Sequence, residues 1–315
     1  MENVDIKLIT RDDLDDILAI SGESFPAEYN VTKANLMQKL IDDADKFDEG
    51  SLIIREAISG KPIGFIGTKL SHSNLYPNTG WISIVAVAGD YRRNGYGRLL
   101  VSKALEALHS AGVKKVSVGQ EFHNFFSGIP NPNDENMGFF NALGFAVNEG
   151  SHFDLEAVIT DNTLIESFDN SVFIGEFEVK TYNDDYDELM KFLDAEFPGR
   201  WGYEDDTAIK AHKDPSEIVL LWDKRENKVV GFCILTSYKD DEGKKTGYGG
   251  LGPIGIAKAL RGRQLGNFLL RESLVQARLN GIARVNIDWT ILVKFYGQFG
   301  FEVKRTYIAA YKELQ

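Results

Sequence analysis

Cysteine is almost absent. The 315-residue chain has one, Cys233, inside the apolar run Val229 to Leu235. A single thiol cannot close an internal disulfide, and no Cys/His group has the spacing of a zinc site, so no metal is expected. Excess positive charge is absent too: 35 Lys and Arg stand against 47 Asp and Glu, a net charge of -12. Such a surface repels phosphate backbones and anionic headgroups, which argues against nucleic acid and membrane as partners. No apolar run reaches the ~18 residues of a spanning helix. The start, Met1-Glu2-Asn3-Val4-Asp5, lacks the basic head and apolar middle of a signal peptide. These absences predict a soluble, cytoplasmic protein. What is present is ordinary globular composition, 43% hydrophobic and 26% charged, in a chain about twice the ~150 residues of a typical domain.

The chain repeats itself, and repeats fix the domain plan. Asp13-Leu14-Asp15-Asp16-Ile17-Leu18 leading to Phe25-Pro26 recurs as Asp185-Tyr186-Asp187-Glu188-Leu189-Met190 leading to Phe197-Pro198. Ile63-Gly64-Phe65-Ile66 recurs as Val230-Gly231-Phe232-Cys233, and Tyr91-Arg92 with Gly97 as Leu260-Arg261 with Gly266. Lys115-Val116 recurs as Arg284-Val285, and Leu143-Gly144-Phe145 as Phe299-Gly300-Phe301. Spacing shortens before the last landmark, so the first copy carries extra residues in the polar stretch Phe122 to Asn136, which reads as a long loop. The polar seam near Thr160 to Asn170 predicts an N-terminal domain over 1–160, a linker over 161–175 and a C-terminal domain over 176–315. Apolar strands alternate with amphipathic helices in each copy, such as the one carrying Leu100, Ala104 and Leu108. The predicted class is α/β (α+β), with a central mixed sheet flanked by helices in each copy.

Chemistry first shows where a strand gives way to a helix through Arg92, Gly95 and Gly97. Successive N–H groups at a helix N-terminus form a cradle for phosphate. A tight turn with solvated arginines would look the same. The second copy has Arg261-Gly262-Arg263-Gln264-Leu265-Gly266; Gln264 still offers its N–H if its dihedrals stay helical. Gly247-Tyr248-Gly249-Gly250-Leu251-Gly252 fits a dinucleotide pattern. It runs from the charged turn Lys239 to Lys245 into Pro253 and a strand, so it reads as a flexible strand entrance with a bulge. Tyr296 stands four residues ahead of Gly300, where the first copy has Phe140. The ending has a bland explanation in a glycine C-cap, and the tyrosine alone suits a half-buried core position. Asp288 ends the strand Val285-Asn286-Ile287, where the first copy has Gly119. A carboxylate among Val, Ile and Trp costs desolvation unless it has a role or a partner, or it caps the next turn.

Arg92-x-x-Gly95-x-Gly97 and the segment Phe295-Tyr296 to Gly300-Phe301 resemble the pyrophosphate loop and late segment of GNAT acetyltransferases. The resemblance implies two tandem GNAT-like domains over nearly the whole chain, with acetyl-coenzyme A as co-substrate. It implies that Ile254, Ile256, Arg261, Gly262, Arg263, Gln264, Leu265 and Gly266 hold the coenzyme in a catalytic C-terminal copy. Asp288 would take the amine's proton there and Tyr296 would protonate the departing thiolate. Arg92, Gly95 and Gly97 would then be a vestigial cofactor site in a non-catalytic N-terminal copy. No cysteine stands near these motifs and Cys233 reads as core, which implies direct transfer in a ternary complex. The resemblance implies that Phe197, Arg200 and Trp201, with Asp288, border the acceptor, where an aromatic face, an arginine fork and carboxylates would suit an amino sugar; a packed Trp with Arg stacked on it is the alternative. The tandem plan, the Phe-Pro-Gly-Arg-Trp segment and the Asp288–Tyr296 pair resemble bacterial glucosamine/glucosaminide N-acetyltransferases. That likeness implies glucosamine or a glucosamine-terminated saccharide as partner, in cell-wall recycling, for a monomer or homodimer. Another small amine, an antibiotic or a protein N-terminus is the alternative acceptor, and a non-catalytic coenzyme A binder the alternative role.

Overall fold

The computed structural model describes residues 4–210, 214–240 and 242–315. Met1, Glu2 and Asn3 of the N-terminal reading, and Asp241 of the Lys239 to Lys245 turn, lie outside the described residues. Two compact units emerge: Met1–Phe153 with Arg305–Gln315, and Asp154–Lys304.

The first unit opens with β1 (Val4–Leu8), α1 (Leu14–Ser24) and α2 (Lys33–Leu36). Strands β2 (Leu52–Glu56), β3 (Pro62–Leu70) and β4 (Thr79–Val87) follow as an antiparallel meander next to β1. They are apolar runs because helices cover both faces. On one side Leu100, Ala104 and Leu108 of α3 (Tyr96–Ser110) press on Ile54, Ile63 and Ile66. On the other, Ile17 and Ile20 of α1 meet Phe65 and Ile84. β5 (Lys115–Val118) pairs parallel to β4 only from Thr79↔Lys115 to Ile82↔Val118. Beyond Ile82 the two strands part. β6 (Ile129–Pro130), α4 (Asp134–Asn141) and the opening of β7 (Ala146–Val158) complete the run. The Phe122 to Asn136 stretch is therefore not all loop: it holds β6 and the first turn of α4, capped by the Asn133 side chain.

The second unit takes residues 154–158 of β7, then α5 (Thr163–Glu166), β8 (Phe177–Thr181), α6 (Tyr186–Glu196) and α7 (Arg200–Lys210). β9 (Ile218–Asp223), β10 (Lys228–Lys239) and β11 (Lys245–Ile256) repeat the antiparallel meander. α8 (Leu265–Leu279), β12 (Arg284–Thr290), α9 (Val293–Gly297) and the start of β13 (Glu302–Glu313) follow. β12 pairs parallel to β11 from Tyr248↔Arg284 to Gly250↔Asn286, and there these strands part as well. The Gly247 to Gly252 segment lies within β11, and a register shift falls between the Cys233 and Leu235 pairs.

The units depart from the division drawn on the sequence. Residues 305–315 belong to the first unit: Ala310 pairs with Val118 and Tyr307 with Pro130, and Tyr307 to Ala310 are all buried. The expected linker over 161–175 is packed into the second unit. Ile165 is fully buried, Phe168 meets Phe299, and Phe173 stacks on Phe268. Polar composition at the seam hid these apolar anchors. No helix among the described residues is long and apolar enough to cross a membrane.

Candidate functional site

Both strand-to-helix turns have the same backbone. In the first unit Arg93 and Gly95 have φ of 64° and 87°; in the second Gly262 and Gln264 have 78° and 61°. The left-handed positions coincide, while the glycine has changed places within the pair. Gln264 is thus left-handed rather than helical, contrary to the expectation, and the loop survives because its path does not change. Each loop leads into the first turn of a helix, whose N–H groups have no carbonyl partners within the helix. Two glycines leave room for an aromatic ring: a Cβ on Gly97 would meet Phe139 at 3.2 Å, and one on Gly266 would meet Phe295 at 3.5 Å. The turn is clasped alike in both units. Glu23 Oε2 accepts from the Gly89 N–H at 3.2 Å, and Glu196 Oε2 accepts from the Lys258 N–H at 2.8 Å. Arg92 reaches back to the carbonyls of Val87 and Glu23, Arg93 pairs with Glu135 at 3.0 Å, and Arg263 with Glu176 at 3.4 Å.

In the second unit the Ala257 N–H bonds the Val230 carbonyl. With the two-residue period of a strand, Ile254 and Ile256 aim their N–H groups at the opposite edge, where β12 has left β11. Backbone N–H groups at such a parting can donate to a carbonyl oxygen. Tyr296 is 4% exposed. Burial raises its hydroxyl pKa above the ordinary range, Cys233 and Asp288 nearby add to the rise, and a hydrogen bond with the Thr290 side chain opposes it. A phenol so placed keeps its proton at any physiological pH and is a donor, not a base. Asp288 is exposed on β12, so the desolvation argument made for it on the sequence does not apply. The next residue, Trp289, has φ of 46°, which is uncommon for a bulky side chain, and its N–H bonds buried Asp154 Oδ1 at 3.0 Å.

The expected acceptor group divides. Phe197 and Trp201, both half-buried, pack against buried Phe192 and Phe232, with ring centroids of Phe197 and Trp201 5.0 Å apart. Phe197 also lies directly over Gly255. Arg200 leaves that cluster and stacks on Trp289 at 4.8 Å, held by Glu204 at 3.0 Å. Arg200 thus contacts Trp289, the residue after Asp288 on β12, while Trp201 packs on Phe197 and Phe232. Cys233, opposite Ile254 on β10, is close enough to Tyr296 to affect its proton, although the sequence placed no cysteine near these motifs. It is fully buried in the core. Trp289, Thr290 and Asp154 were missed: each belongs to β12 or its neighbouring strand, where sequence offers no motif.

The first unit holds a cavity of about 920 Å³ within its own residues. Its lining includes Arg92, Gly95 and Gly97, the strand from Ile82 to Val87, Phe25, and Phe126, Ile129 and Asn131. The parting of β4 and β5 and the turn at Arg92 to Gly97 both contribute to this lining. Among the described residues no cluster of three His, Cys, Asp or Glu side chains is placed to hold a metal.

The profile of the Acetyltransferase (GNAT) family matches residues 14–145 and 186–301. The chain belongs to the GNAT acetyltransferase family, in tandem form, and this family uses acetyl-coenzyme A. Among solved structures, one is a glucosamine N-acetyltransferase region of a fungal multi-domain β-N-acetylglucosaminidase. It is 20% identical at a TM-score of 0.85, and the match covers 99% of this chain and 38% of that one. A GCN5-related N-acetyltransferase from Sphaerobacter thermophilus is 14% identical at 0.73, over 98% of this chain and 95% of the other. A tandem GNAT protein from clavulanic acid biosynthesis is 13% identical at 0.70, over 99% and 98%. No curated protein matches the sequence.

Proposed function

We propose that the second unit transfers the acetyl group of acetyl-coenzyme A directly to the primary amine of an amino sugar, glucosamine or a glucosamine-terminated saccharide. The observation that carries this reading is buried Tyr296 on α9, the element that follows β12, the strand that carries exposed Asp288 and has parted from β11. Exposed Asp288 takes the proton of the attacking amine, directly or through water. N–H groups of Ile254 or Ile256 polarise the carbonyl, and Tyr296 supplies a proton to the departing sulfur. The Arg261 to Gly266 turn holds the pyrophosphate. Arg200 on Trp289 offers a flat apolar face flanked by guanidinium donors, which suits a sugar ring with hydroxyls at its rim. The structural likeness to a glucosamine N-acetyltransferase region supports the acceptor class. The test is thiol release from acetyl-coenzyme A with glucosamine, other amines and peptides in turn; preference for a peptide N-terminus would overturn the acceptor assignment.

A further inference from the structure

The residues that the first copy carries in excess build part of the wall of its cavity. Phe126, Ile129, Pro130 and Asn131 all come from the Phe122 to Asn136 stretch and all line the space. Buried charge fixes this wall. Lys69, 1% exposed, pairs with Asp43 at 2.8 Å and donates to the Phe122 carbonyl at 3.1 Å. Lys39 donates to the Asn124 carbonyl at 2.6 Å, and Gln120 to the Ser127 carbonyl at 3.0 Å. Phe126 packs on Phe25 at 5.1 Å and on Tyr29 at 5.8 Å. These contacts anchor the stretch at Phe122, Asn124, Phe126 and Ser127.

That wall ends beside a buried acid and hydroxyl. Ser83 of β4 lines the cavity, is 2% exposed, and its Oγ has no hydrogen-bond partner among the described residues. The Glu121 carboxyl, 1% exposed, stands two residues past Gly119, whose N–H bonds the carbonyl of Ile82, the residue before Ser83. Burial raises the carboxyl's affinity for a proton, with Lys69 opposing. Aligning the copies misses this carboxyl because Gly119, two residues earlier, occupies the place of Asp288.

We propose that the first unit is a second acetyl-transfer site, which takes a primary amine on an apolar or aromatic body among Phe25, Ile84, Phe126 and Pro130. Its proton leaves through Ser83. The neutral amine attacks the thioester carbonyl; the C–N bond forms and the C–S bond breaks. One proton of the attacking nitrogen passes to Ser83 Oγ as the hydroxyl's own proton passes to the Glu121 carboxylate. The C–S electron pair leaves with sulfur, and the coenzyme A thiolate takes a proton from water. Phe140 supplies none, but a thiol pKa of about 8.5 makes thiolate a tolerable leaving group. Ser83 touches the amine; Glu121 acts through it as a positioning residue. This goes beyond the second unit's reaction and does not depend on it.

The experiment uses the full chain, acetyl-coenzyme A, and phenethylamine, tyramine and benzylamine as probes, with glucosamine as contrast. Gly95→Val and Gly262→Val each strain one turn, since both glycines have positive φ. Thiol release with the aryl amines falls at least about tenfold in Gly95→Val and survives Gly262→Val; glucosamine turnover does the reverse. Ser83→Ala and Glu121→Gln lower kcat for the aryl amines at least about tenfold, at an unchanged KM for acetyl-coenzyme A, and Glu121→Asp recovers part of the loss. The proposal is overturned if none of the three amines releases thiol, if their turnover follows Gly262→Val, or if Glu121→Gln and Ser83→Ala act at the wild-type rate. Aryl amine turnover without glucosamine turnover supports it and overturns the second-unit reading instead.

Discussion

Two residues illustrate how burial decides chemistry here. Tyr296 keeps its proton because water cannot reach its anion, so Tyr296→Phe removes a donor and little else. Phe140 fills the equivalent place in the first copy, so the fold tolerates the ring without the hydroxyl. The expected result is a kcat loss of about tenfold to a hundredfold at neutral pH, shrinking at high pH, where thiolate needs no help; stopped-time thiol assays across pH measure it. Asp43 titrates in the opposite sense. Burial alone would raise its pKa, but hydrogen bonds with His123 and Lys69 and the Lys69 charge outweigh that and bring it to about 2. The unfolded chain, with an ordinary value near 3.9, binds the proton more readily. This contribution to stability is complete above about pH 4 and is lost as pH falls through about 2. Asp43→Asn leaves the Lys69 charge buried without its counter-ion and should cost about 3–5 kcal/mol, read by urea denaturation at pH 7.

At the scale of elements, the turn before each long helix carries the coenzyme-binding argument. Its two left-handed positions hold Arg93 and Gly95 in one unit, Gly262 and Gln264 in the other. A left-handed backbone costs a non-glycine residue about 1–2 kcal/mol, partly offset by the flexibility glycine adds to the unfolded chain. Gln264→Gly should therefore leave stability unchanged or raise it by up to about 1 kcal/mol, while Gly95→Ala lowers it; chemical denaturation of both variants checks the sign. Strands, helices and these turns were legible because apolar periodicity and glycine placement are local properties. Gln264's conformation was not, since nothing in the composition of a turn says which residue bears the strain. Phe197, Arg200 and Trp201 lie within five residues, yet the helical start at Arg200 sets half-buried Trp201 against Phe197 and Phe232 and Arg200 onto Trp289.

For the whole molecule, the last strand is the decisive feature. Duplication was plain in the order of landmarks, but which unit each closing strand joins depends on long-range pairing, which repeated motifs do not record. Because Arg305–Gln315 pairs with β5 and β6, a chain ending at Lys304 should lose protection from hydrogen exchange in β4, β5 and β6, not in β9 to β11. Loss confined to the second unit would contradict this assignment. The central claim is that the second unit acetylates an amino sugar with Asp288 as the proton acceptor. The most direct measurement is kcat for glucosamine with wild type and Asp288→Asn, in protein verified to be folded and to bind coenzyme A. The account predicts a fall of about 10²- to 10⁴-fold; turnover by Asp288→Asn at the wild-type rate would contradict it.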